Sequence, residues 1–167
     1  MDEAEQYLNR LEKVPVRNRI MAAHHFGQSE IQIQLFYMNQ GKLDEVATRA
    51  EKIDRGLRKF KSELGPSIVL SLLYNLTVTF LLLDKTKEAK QQIEHIRTFG
   101  KLMVRQDIQG LARLLRLIIL SEEEDQTSFP HFLRNSKRYF QKEDRHYALE
   151  KAIYDLVKHH NTMVGSV

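Results

Sequence analysis

Two pairs of adjacent histidines, His24-His25 and His159-His160, are the residues best suited here to bind a metal ion, because imidazole nitrogen is a common ligand. Side chains at neighbouring helical positions point about 100° apart, so each pair turns only one nitrogen toward any one face. No HExxH pattern and no Asp-His cluster accompanies them. The expectation is no metal site and no cofactor; His159-His160 falls near a helix C-terminus, where positive charge is mildly favoured. The densest carboxylates, Glu122-Glu123-Glu124-Asp125, fall in a polar loop. Solvated there, they lack the burial or charged neighbour that moves a carboxyl pKa toward neutrality for acid-base work. With no Cys in 167 residues, thiolate nucleophiles, disulfides and Cys-bearing zinc sites are excluded. GxSxG, P-loop and GxGxxG motifs are missing too, so no catalytic residues are assigned and a non-enzyme is expected.

Chemistry of another kind lies in polar stripes at helical spacing. His24, Gln28 and Gln32 fall at i, i+4 and i+8, and 43 residues later Ser67, Ser71 and Asn75 repeat that spacing inside an otherwise apolar helix. Arg105, Gln109, Arg113 and Arg116 form a third stripe among Leu and Ile. Such residues can hold a peptide's backbone and carboxylates, with Arg supplying charge-assisted bonds. The competing account is an ordinary solvated face. A basic stripe, Arg134, Lys137, Arg138, Lys142 and Arg145, has Tyr139 and Phe140 between its members. Phosphate contacts and base stacking would suit that mixture, although Phe132, Tyr139 and Phe140 also fit a core face.

The elements that must position these residues are helices. The chain has only 7 Gly and 3 Pro, 42% hydrophobic and 29% charged residues, and a net charge of +4 from 26 basic and 22 acidic groups interspersed along its length. Apolar spacing predicts helices over 3–13, 17–39, to about 64, 66–83, 87–99, 106–120, 129–141 and 145–160, with a possible kink at Gly27 and no strand. Gly65-Pro66 ends one helix and opens the next. The apolar run 67–83 is short for a bilayer and carries Ser71, Asn75, Thr77 and Thr79, which favours a buried helix over a membrane span. The acidic, amphipathic start has no apolar export signal, so a cytoplasmic location is expected.

The segments NQGKLDEVATRAEKI (39–53) and LLDKTKEAKQQIEHI (82–96) say nearly the same thing at an offset of 43. Lys42 matches Lys85, Glu45 matches Glu88, Val46 matches Ala89 and Ile53 matches Ile96; an offset of 86 adds Phe129, Phe132 and Tyr139 as a third copy. The unit is an antiparallel helix pair, which must stack on others to bury its apolar face, the mark of an α-solenoid. One all-α domain over 1–167 is expected, with hairpins 17–64, 66–99 and 105–142, a terminal helix 145–160, and Tyr37, Ile53, Leu73, Phe80, Ala89, Ile96, Leu115 and Ile118 in its core. The short first helix has no partner before it, consistent with a piece of a longer repeat protein.

Tyr37, Gly41, Leu43 and Val46, then Phe80, Asp84 and Ala89, resemble the tetratricopeptide pattern of a late aromatic, a turn residue and a small apolar residue opening the second helix. Residues 105–160 are similar to the C-terminal segment of bacterial tetratricopeptide-like proteins of unassigned function. The resemblance implies a protein-interaction scaffold. If the first helix of each pair lines a concave wall, the three polar stripes meet there, and the Arg residues call for an acidic protein or peptide partner. The alternatives are a nucleic-acid-associated regulator using the stripe at 134–145, and a structural module pairing with a second copy of itself.

Overall fold

The computed structural model describes residues 3–99, 104–123, 127–142, 151–157 and 159. The helices are α1 (Glu3–Glu12), α2 (Arg19–Asn39), α3 (Leu43–Lys59), α4 (Pro66–Leu82), α5 (Thr86–Thr98), α6 (Gln106–Glu122) and α7 (Ser128–Lys142), followed by helical residues 151–157, α8. The fold is all-α, with no strand among the described residues. None of the described helices is long and apolar enough to cross a membrane. Two compact units result, 1–104 with α1 to α5 and 105–167 with α6 to α8.

The repeated segments fold into the same turn, bond for bond. Lys42 N donates to Tyr37 O at 3.0 Å, and Lys85 N to Phe80 O at 2.7 Å; Gly41 N donates to Met38 O and Asp84 N to Leu81 O, each at 3.1 Å. Both turns reverse through a left-handed residue, Gly41 at φ 66° and Asp84 at φ 55°. Glycine adopts that conformation freely and aspartate is among the few L-residues that tolerate it. Each second helix then starts alike, Val46 N donating to Lys42 O and Ala89 N to Lys85 O. The buried residues agree as well: Val46, Ala50 and Ile53 on α3, Ala89, Ile93 and Ile96 on α5.

Helix α4 is the centre of the first unit and packs against α2, α3 and α5. Ala23, Ala50, Ile53, Phe60, Leu64, Ile68, Leu72 and Leu76 form its core. Gly27 does not kink α2, which is continuous; a side chain there would run into Ile68 and Leu64, so the glycine lets α2 and α4 approach. Gly56 does the same for α3, lying directly under the Phe26 ring. Helix α3 stops at Lys59 rather than near Leu64. The chain leaves the helix so that Phe60 and Leu64 enter the core, Phe60 meeting Phe26 at 5.5 Å between ring centroids. Arg19 Nη2 donates to the freed Lys59 carbonyl at 2.8 Å and the same guanidinium pairs with Glu63.

In the second unit Leu114, Leu117, Leu120, Phe129, Phe140 and Val157 form a separate core. On α7 the buried residues are Phe129, Ser136 and Phe140, with Leu133 half-buried. Phe132 and Tyr139, the positions that an offset of 86 pairs with Val46 and Ile53, are half-buried against the same core, while an offset of 83 pairs Val46, Ala50 and Ile53 with Phe129, Leu133 and Ser136. Of the expected core, Ile53, Leu73, Ala89 and Ile96 are buried, whereas Tyr37, Phe80, Leu115 and Ile118 are only half-buried. Tyr37 and Phe80 lie in the last turns of α2 and α4, where each hairpin opens toward solvent.

Candidate functional site

The stripes nominated from spacing meet different fates. His24, Gln28 and Gln32 lie exposed on α2, and Ser67 is exposed at the start of α4. Ser71 and Asn75, however, are buried and line no open wall. They lie two turns and one turn before Thr79 on one face of α4, and Thr79 accepts a 2.8 Å hydrogen bond from Gln34 Nε2 on α2. Their face is the α2 to α4 contact. A buried polar face and a wet one have the same spacing, so the pattern alone could not separate them.

In the second unit Gln109 is also buried, 2% exposed. Arg113 donates from Nη1 to the Gln109 carbonyl at 2.8 Å and stacks on Tyr139, 3.7 Å from the ring centroid. Arg105 pairs with Asp107 at 2.8 Å. The half-buried Arg116 has a buried Nη1 without a hydrogen-bond partner. These residues thus do not form a row of free cations; an acid and an aromatic face of their own unit engage two of them. Arg134, Lys137 and Arg138 are exposed on α7. The Lys142 side chain and Arg145 lie outside the described residues, as does His160. Tyr139 is half-buried beneath Arg113 and donates to Gln106 O at 3.4 Å, while Phe140 is buried, so the aromatics between the basic residues are turned into the unit. Among the described residues no three His, Asp or Glu side chains gather as metal ligands would.

The first unit has an open groove of about 900 Å³ on the side of its second helices. Val69, Leu73 and Phe80 of α4 form an apolar floor. One wall is α3, with Leu57 and Arg58, and the other α5, with Gln91 and His95. Charges of both signs rim it, Asp54 and Glu88 against Arg58 and Lys61. Its presence explains why Phe80 is only half-buried.

A charged cluster, not foreseen from the sequence, lies on the other flank of α3. The Arg49 guanidinium grips Glu12 of α1 with both nitrogens, Nη2 to Oε2 at 3.0 Å, and reaches Glu30 of α2 at 3.1 Å. Lys52 Nζ lies 2.5 Å from Glu12 and 2.6 Å from Glu30. Glu30 is wholly buried, and its Oε2 has no hydrogen-bond partner. Seven residues earlier on both helices, Lys42 pairs with Glu5. The matched spacing, Glu5 to Glu12 against Lys42 to Arg49, makes α1 run parallel to α3. His25 Nε2 ties down the end of α1 by donating to Leu11 O at 2.7 Å. Tyr37 lies beneath, its ring centroid 5.7 Å from Lys42 Nζ and 6.0 Å from the Arg49 guanidinium carbon. The Arg49 hydrogen bond, aided by Lys52 and opposed by burial, lowers the Glu12 pKa from 4.5 to about 2. Glu12 in turn pushes Arg49 upward, and Glu5 raises Lys42. The one signal available beforehand was the seven-residue spacing shared by two carboxylates and two cations. No protein-family model, curated protein or solved structure matches this chain.

Proposed function

We propose that this chain is a non-catalytic, tetratricopeptide-like protein-interaction scaffold whose first unit holds an amphipathic helical segment of a partner protein between α3 and α5. The observation that carries this reading is the 900 Å³ groove with an apolar floor and a rim of mixed charge. An amphipathic helix placed there would cover the half-buried Val69 and Phe80 while its polar face stayed between the rim charges. The area removed from water would supply the affinity and the rim charges the register. This moves the partner surface from the exposed α2 stripe to the side of the second helices. The nucleic-acid alternative keeps its phosphate-binding cations at Arg134, Lys137 and Arg138 but loses the stacking that Tyr139 and Phe140 would have supplied.

A photo-crosslinking side chain tests the assignment when placed at Gln91, on the groove wall, or at Gln28, on the exposed α2 stripe. Gln91 should yield a discrete protein adduct from native lysate that Val69→Lys, at a half-buried position of the groove floor, abolishes. An adduct from Gln28 alone would return the binding surface to α2, and adducts insensitive to Val69→Lys would sink the groove.

A further inference from the structure

The cluster around Arg49 has the character of a binding site already in use. Two cations of the α2–α3 hairpin, Arg49 and Lys52, share the buried carboxylate of Glu30, and α1 supplies Glu12 to both of them and Glu5 to Lys42, on which the hairpin's own Glu45 also acts. Helix α1 adds a narrow apolar face to these charges. None of its side chains is fully buried; Ala4, Leu8 and Leu11 are half-buried where it packs on α2, and Tyr7 is 61% exposed. A linker with exposed Val14, Pro15 and Val16 joins it to α2. A helix held by ion pairs and a half-buried apolar face, with no side chain fully buried, is bound less tightly than a core helix and can be exchanged for another of the same chemistry.

Nor does α1 fill the space. A hollow of about 330 Å³ beside Arg49 is walled by Tyr37, Thr48 and Arg49 with Asp44 and Glu45, and no residue of α1 lines it. An occupant with a larger side chain at that end would gain contact with the Tyr37 ring that α1 leaves uncovered.

We propose that the Lys42–Arg49–Lys52 face is a receptor for an acidic amphipathic helix of a partner protein, and that α1 is its tethered occupant, displaced when such a helix binds. The recognition element is a pair of carboxylates two helical turns apart, aligned parallel to α3. Arg49 reads one of them through a two-pronged contact that Lys cannot reproduce. Lys42 reads the other, and Lys52 keeps Glu30 paired while the site changes hands. This receptor lies on a different flank of α3 from the 900 Å³ groove and does not depend on the groove being occupied.

The test uses the full chain and, as probe, a labelled peptide of residues 3–13 with blocked ends. Glu5→Lys with Glu12→Lys in the protein should release α1 and let the peptide bind about tenfold or more tightly than it binds the native chain, as expected when self-occupancy leaves about a tenth of the sites open. Adding Arg49→Ala should abolish that binding, and a peptide carrying the same two Lys residues should not bind at all. Equal affinity for native and charge-reversed chains, or binding that survives Arg49→Ala, would overturn the proposal. Should the double variant not fold, the native chain decides: saturating peptide must speed hydrogen exchange in α1, and unchanged exchange would be fatal. A native dimer that Glu12→Lys dissolves would assign the face to a second copy and equally overturn a foreign helix as ligand.

Discussion

Arg49 joins the carboxylate of a peripheral helix, Glu12, to one buried in the hairpin, Glu30. Removing it by Arg49→Ala leaves Glu30 wholly buried with Lys52 at 2.6 Å as its remaining cation. The cost should be about 3 kcal/mol in urea unfolding, at the low end for a broken buried pair because Lys52 stays. Glu30→Gln in that background should return part of the loss, since it removes the stranded charge. The acid limb belongs to Glu12. Its folded pKa is depressed from 4.5 to about 2, so the ionised form is favoured when α1 is docked. The stabilisation is complete above about pH 4.5 and is lost as pH falls toward 2. Hydrogen exchange of α1 should accelerate over that window while α4 stays protected, and Glu12→Gln should show the fast exchange already at neutral pH.

At the scale of elements, helix approach is set by small residues. Gly56→Ala would place a methyl group in the Phe26 ring, which is backed by Phe60 at 5.5 Å. It should cost about 1–3 kcal/mol by overpacking, more than the helix propensity gained, and thermal melting should show it. The helices, apart from the end of α3, the places of the two turns and the apolar faces of α3 and α5 were legible in the sequence because each rests on local spacing and turn chemistry. In α7, Phe129 is buried and Phe132 half-buried against the same core, so aromatic spacing alone does not choose between the two registers. The stripe through Ser71 and Asn75 failed because alternation reports a distinct helix face without saying whether water or another helix covers it. The Glu12–Arg49–Glu30 cluster joins three helices across 37 and 19 residues, where no local period can reveal it.

For the molecule as a whole, each unit has its own core, that of the second being built from Leu114, Leu117, Leu120, Phe129, Phe140 and Val157. Leu117→Ala deletes a wholly buried side chain there. Hydrogen exchange should report a loss of about 2–5 kcal/mol for the slowest amides of α6 and α7. The slowest amides of α4 should keep theirs, and if they fall by the same amount the two units unfold as one.

The central place of α4 also has a kinetic meaning. A helix packed on three neighbours, two of them joined to it directly along the chain, collects most of its contacts at short sequence separation, and such contacts form early because they close short loops. Helix α1 gains its ion pairs only once α2 and α3 stand side by side, so it should dock after the barrier. Glu12→Gln should therefore speed unfolding and leave the folding limb of a chevron unchanged. The first unit would assemble from α4 outward, and α1, last to arrive, would be the first to let go.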